Sequence, residues 1–231
     1  MDFGKAFSFV FEDDGWITKL LLGGVILLIP VIGWFVVWGW MLEIGRRAAS
    51  DTKVTLPDWN DFGVYLTRGA KAFVVGFVYA LPFIILYFLE ILISPHPGPR
   101  HAGGSAALGL IQLSLSCINL LYSIFLAFVL PAALMRFTME DDNIAAGLAF
   151  GEVFNMVLSN LGTYFLVFLG SLIAGIIADL GLIACVVGVI FTFPYATAIM
   201  GHFYGQSYAV ASGGSPQQPA ATPPTTADWS A

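Results

Sequence analysis

The chain reads as an all-α, polytopic membrane helix bundle of about five spans with amphipathic interfacial helices, and three observations carry that reading. Hydrophobic residues make up 58% of it and charged residues only 10%, which leaves too little polar surface to cover a soluble globule. Five apolar stretches, 20–42, 72–94, 106–135, 161–178 and 180–201, come close to or exceed the ~18–20 residues that a helix needs to cross a bilayer. Five of the nine basic residues, Arg46, Arg47, Lys53, Arg68 and Lys71, fall in one connection, 43–71.

The first residues, MDFGKAFSFVFEDDGW, lack the basic, apolar and small-residue regions of a signal peptide, so the first span is expected to stay in the protein. That span runs from Leu20 to Leu42 between Lys19 and the group Glu43, Arg46 and Arg47. Pro30 removes a helical hydrogen bond and Gly33 loosens the backbone, so a break is expected near them. One kinked span and a re-entrant hairpin of two half-length helices both fit, with the kinked span preferred. Non-helical backbone at that depth is tolerated only under the cover of other helices or water.

The basic segment 43–71 belongs on the cytoplasmic side by the positive-inside rule. Within it, LPDWNDF (56–62) reads as a fixed elbow at the membrane surface. Pro57 stops a helix, Asp58 or Asn60 can cap the next one, and Trp59 and Phe62 suit the headgroup level. The connection 94–105 follows the second span and belongs on the opposite side; its His96 and His101 are too few for a metal centre.

On the third span Gln112, Ser116, Asn119 and Ser123 recur every three or four residues, which places a polar stripe on one helical face turned from lipid. Hydrogen bonding between helices is its expected role, and lining a polar path is the other reading. Residues 137–160 return to the cytoplasmic side as an amphipathic helix with Phe150, Val153, Phe154 and Val157 on one face. The acidic triplets 12–14 and 140–142 each precede a helix and are expected to stabilise its N-terminus.

Between residues 161 and 201 the single charge is Asp179, and Asp179-Leu180-Gly181 is the expected turn between two short spans. Gly170, Ala174 and Ala178, and again Gly201 and Gly205, recur at the spacing of close helix packing. Residues 1–208 thus form one membrane helical domain, and the Pro/Thr/Ala-rich tail 209–231 is expected to be disordered. An aromatic amphipathic stretch leads into an apolar span at 3–30, 59–82 and 147–178, which points to internal repetition.

No catalytic signature is present: HExxH, GxSxG, P-loop and Rossmann glycine patterns are all missing from the sequence. Glu90 and Asp179 are the only acids deep in apolar sequence, each near enough to a span end to reach the interface, and His202 is expected in the interfacial belt. Cys117 and Cys185 lie inside apolar spans and read as small buried hydrophobes. Nine basic residues against fifteen acidic ones give no footprint for a nucleic acid.

The segments FEDDGWITKLLLGG (11–24), IPVIG (29–33), WGWMLEIGRR (38–47) and LPDWNDFGVYLTRGAKAF (56–73) resemble an uncharacterised prokaryotic family of multi-pass integral membrane proteins, a domain of unknown function. The resemblance covers about residues 1–205 and leaves the tail outside. It implies a membrane fold and structural weight for Trp16, Pro30, Gly33, Pro57, Asp58 and Trp59, and it supplies no activity, cofactor, metal or catalytic residue. The expected function is therefore a non-catalytic scaffold or complex subunit of the cell (cytoplasmic) membrane. Its partners are the lipid bilayer and a membrane protein or a second copy of the chain. A transporter or channel for a small solute or lipid is the alternative, and a membrane enzyme the third class.

Overall fold

A computed structural model describes residues 1–50, 54–93, 106–183 and 185–213. Among these the chain is helical throughout, with no strand. Helix α1 (Phe3–Ser8) and a 3-10 turn (Phe9–Glu12) precede α2 (Trp16–Leu27) and α3 (Ile32–Ser50). A second 3-10 turn (Trp59–Asp61) leads into α4 (Phe62–Ile93), and α5 (Ala106–Met139), α6 (Ile144–Gly147), α7 (Phe150–Ser159), α8 (Leu161–Ile183) and α9 (Cys185–Ala211) follow. Three helical segments, Trp59–Ile93, Leu108–Met139 and Leu161–Ile183, are long and apolar enough to cross a membrane.

The first apolar stretch is a hairpin and not a kinked span. Helix α2 has 12 residues, a rise of ~18 Å against a hydrocarbon core of ~30 Å. The amides of Leu28 and Ile29 close onto the carbonyls of Val25 and Ile26 at 3.1 and 3.0 Å. Val31 then takes a left-handed φ of 66°, a conformation that β-branched residues rarely adopt. As α3 turns back, Gly33 passes so close to α2 that a Cβ there would lie 2.1 Å from the Ile26 carbonyl oxygen. Proline alone bends a helix; reversal needs this left-handed residue and the close glycine contact as well.

Helix α3 lies between α4 and α9, and glycines set the distances. A Cβ at Gly39 would lie 1.9 Å from the Tyr65 carbonyl oxygen, and one at Gly69 would lie 1.8 Å from that of Phe35. On the other side, Cβ atoms at Gly201 and Gly205 would meet the carbonyl oxygens of Met41 and Gly45 at 2.3 and 2.1 Å. The Gly201/Gly205 pair therefore joins α9 to α3, whereas Gly170 of α8 receives the Phe203 ring of α9. Small residues at this spacing let backbones approach closely.

The turn expected at Asp179-Leu180-Gly181 is absent, because α8 continues through it to Ile183. Nothing in that triplet removes a helical hydrogen bond, and Gly181 serves packing, with room for a Cβ denied by Thr192 Oγ1 at 2.0 Å. Helix α9 extends to Ala211, three residues past the expected domain end. The expected tail beyond residue 213 and the 94–105 connection, with His96 and His101, lie outside the described residues.

The amphipathic segment is broken at Leu148 and Ala149 into α6 and α7. Val153 and Val157 point into the bundle while Phe150 and Phe154 lie on the exposed side, so the expected single apolar face divides between protein and surroundings. Tyr79 donates from its hydroxyl to the Gly147 carbonyl at 3.0 Å and fixes that break against α4. The distal halves of α4 and α5 expose apolar side chains such as Leu92, Leu113 and Leu121. Cys117 also lies on this exposed face and not in a core.

Candidate functional site

The residues that carry chemistry gather where α2, α3, α4 and the α5–α6 turn meet. Val54 and Leu56 are buried and anchor the elbow. The Trp40 indole donates to the Pro57 carbonyl at 3.0 Å, and the Trp59 indole donates to the Lys19 carbonyl at 2.9 Å. The two rings stack, with centroids 5.0 Å apart and planes 14° from parallel. Tyr65 adds a hydroxyl bond to the Asp58 carbonyl at 2.8 Å. Four indole and phenol contacts of this kind bury aromatic surface and satisfy backbone carbonyls together.

Asp58 has the extended backbone of a helix cap, yet its side chain caps nothing. Its carboxylate instead reaches Lys19 Nζ at 3.0 Å, beside Asp13 at 2.9 Å, and Lys19 also donates to the Leu56 carbonyl at 2.8 Å. Burial disfavours the Lys19 ammonium, but the hydrogen bonds and charges of Asp13 and Asp58 outweigh it and hold the pKa above the ordinary lysine value.

A second cluster ties three elements together. Arg68, 3% exposed, donates from Nη1 to Glu43 Oε2 at 2.6 Å and from Nε to both Asp142 oxygens at 2.8 and 3.0 Å. Arg46 and Arg47 reach the same Glu43 carboxylate at 2.7 and 3.2 Å. Burial opposes the Glu43 charge, and the hydrogen bond and field of Arg68, with Arg46 and Arg47, overcome it and lower the pKa below the usual glutamate value. Asp141 and Asp142 both take left-handed φ, 56° and 55°, and this turn aims Asp142 at Arg68.

Four of the six triplet carboxylates, Glu12, Asp13, Glu140 and Asp142, therefore form ion pairs, and Asp13 also accepts from the Gly15 amide before α2 at 3.0 Å. Glu12 binds Lys5 and Asp13 binds Lys19, while the side chain that caps α6 is Asn143, accepting from the Ala145 amide at 3.0 Å. An opposite charge within reach outcompetes the weaker helix-end interaction.

His202 is 2% exposed, so it sits inside the protein and not in an interfacial belt. Its ring stacks on Phe9 with centroids 4.5 Å apart.

The sequence-selected residues divide between places. Pro57, Asp58 and Trp59 meet around Lys19 and Trp40, and Trp16 joins the same apolar cluster with its ring 5.0 Å from Phe11. Pro30 and Gly33 form the hairpin turn instead. A cavity of about 200 Å³ beside that turn is lined by Gly24, Leu27, Leu28, Trp34, Val189, Ile190 and Phe193. The polar stripe lies apart on α5: Ser116 donates to the Glu90 carboxylate of α4, and Ser123 bonds the Leu120 carbonyl of its own helix. Gln112 is half-buried. Asn119 is buried and its Oδ1 has no hydrogen-bond partner. Sequence reasoning missed Trp40, Arg68 and Asp142 as partners; charges bordering apolar stretches were the available signal.

The architecture, all-helical among the described residues with three membrane-length apolar helices there, defines a helical membrane protein. The chain belongs to the DUF4013 family, proteins of unknown function, whose family model matches residues 22–207. No curated protein and no solved structure matches it.

Proposed function

We propose that the protein is a non-catalytic scaffold or complex subunit, a multi-pass protein of the cell (cytoplasmic) membrane with its basic end in the cytoplasm. The observation that carries this reading is the closure of Arg68 by Glu43 and Asp142. A buried guanidinium paired with a carboxylate from each of two other elements joins those elements, and its own charge is closed off. The apolar faces of α4 and α5 around Leu113, Leu120 and Leu121 then serve lipid and a membrane protein partner or second copy. A photo-crosslinking residue at Leu120 in native membranes tests it. A single protein adduct, recovered at fixed ratio without crosslinking as well, is expected. Lipid adducts alone would overturn the scaffold reading.

Transport of a small solute or lipid is the second reading, favoured by the Glu90–Ser116 contact and buried Asn119 within apolar α4 and α5. Solute uptake by proteoliposomes that is lost in Asn119→Leu would select it.

A further inference from the structure

One glutamine of α9 holds the start of the N-terminal segment. Gln206 Oε1 accepts from the Asp2 amide at 2.9 Å and its Nε2 donates to the Asp2 carbonyl at 3.2 Å. The same Nε2 lies 3.0 Å from His202 Nδ1, so Nδ1 must be the acceptor and the ring proton must sit on Nε2. Around this point Tyr195 donates to the Phe7 carbonyl at 2.9 Å, and Phe3 and Phe7 pack on Phe203 at 4.8 and 5.8 Å. Phe9, fully buried, covers the imidazole itself.

We infer that His202 and Gln206 form a protonation-sensitive latch that holds residues 1–12 against the bundle when His202 is neutral and releases them when it is protonated. A proton on Nδ1 turns the acceptor into a donor facing the Gln206 amide nitrogen. Rotating the Gln206 amide by half a turn restores that bond but sets Oε1 against the Asp2 carbonyl and Nε2 against the Asp2 amide. Both bonds to Asp2 are then lost, and a buried cation lies under the Phe9 ring. The charged groups bearing on the ring are Asp2 and Lys5 of α1 and Glu12 of the following turn. Lys5 opposes the imidazolium, whereas Asp2 and the Lys5-paired Glu12 favour it and offset only part of the burial cost. An imidazole in water titrates near ~6.5, so release proceeds as pH falls below that value.

The full chain in detergent, carrying Ala6→Cys in a background with Cys117 and Cys185 replaced by alanine, reports the latch through maleimide labelling under the buried Ala6 position. Labelling, corrected for thiol ionisation with a free peptide, should rise at least ~tenfold from pH 8 to pH 5, as the two hydrogen bonds to Asp2 are lost. Gln206→Leu should label fast at every pH. His202→Phe should remove the pH dependence, and Glu12→Gln should retain it. If His202→Phe labels fast throughout, His202→Asn, whose amide oxygen still accepts from Gln206, must label slowly and without pH dependence. Flat labelling of the parent chain, or pH dependence surviving in His202→Phe or His202→Asn, would overturn the latch.

Discussion

Arg68 Nη1 and Glu43 Oε2 lie 2.6 Å apart, joining the second helix of the α2–α3 hairpin to the first long apolar helix, 25 positions further on. Asp142 completes the tie from the α5–α6 turn. Removing one partner of a buried ion pair leaves an uncompensated charge, at a typical cost of ~3–5 kcal/mol. Arg68→Leu should therefore lower unfolding stability in detergent by about that amount, since it strands the Asp142 carboxylate and takes from Glu43 its one buried partner, leaving it Arg46 and Arg47. Replacing Glu43, Arg68 and Asp142 together by Gln, Leu and Asn should cost less than Arg68→Leu alone. A triple variant less stable than the single one would contradict the tie.

The pH dependence of stability follows from the two shifted groups. Glu43 has a lowered pKa, so its contribution is complete above the ordinary value of 4.5 and is lost as pH falls through the folded value below that. Lys19 has a raised pKa, so its contribution is complete below 10.5 and is lost as pH rises through the folded value above that. Thermal unfolding followed from pH 3 to pH 11 should show a plateau from ~6.5, where the His202 latch begins to open, up to 10.5, with the Glu43 acid limb below 4.5 and the Lys19 alkaline limb above 10.5. Glu43→Gln should flatten the acid limb and Lys19→Met the alkaline one, each without altering the other.

The helical class and the α4 and α5 stretches were legible because long apolar runs report burial in lipid directly. The residues of LPDWNDF also signalled an ordered elbow, though Asp58 was assigned to the wrong partner: a cap is a local bond, whereas its actual ligand, Lys19, lies 39 positions earlier. The preference for a kinked span over the hairpin fails for a related reason. Composition is continuous from Leu20 to Leu42, and reversal depends on a left-handed φ at Val31 that no residue-type preference predicts. Arg68 and Asp142, 74 positions apart, are joined only by tertiary structure. His202 was placed at the interface by its neighbours in sequence, and Phe9 moved it inside.

Glycine substitutions separate packing from composition. At Gly69 a Cβ would press on a backbone carbonyl at 1.8 Å, which no rotamer change relieves. Gly69→Ala should thus destabilise by ~1–3 kcal/mol or more, despite the better helix propensity of alanine. Gly63→Ala, six residues earlier on the same helix and with nothing within 4 Å, should be neutral or stabilising by up to ~1 kcal/mol. Equal effects at the two positions would show that α3 and α4 do not meet at Gly69.

The elbow offers the last test. Trp59 contributes two separable interactions, a stack on Trp40 and an indole bond to the Lys19 carbonyl. Asp58 adds the ion pair with Lys19, but its carboxylate is largely exposed, so that pair is worth at most ~1 kcal/mol. Trp59→Phe keeps an aromatic surface and loses only the hydrogen bond, a change of ~1 kcal/mol. Trp59→Ala loses the stack as well and should cost ~3–5 kcal/mol. Limited proteolysis in inverted vesicles should then order the variants, with cleavage between Lys53 and Arg68 slow in the parent chain, slightly faster in Asp58→Ala and Trp59→Phe, and fastest in Trp59→Ala combined with Asp58→Ala. Because Trp59 also touches α2, the combined variant should expose Lys19 to modification at the same time. Faster cleavage at the elbow with Lys19 still protected would mean that the elbow and the hairpin are held independently.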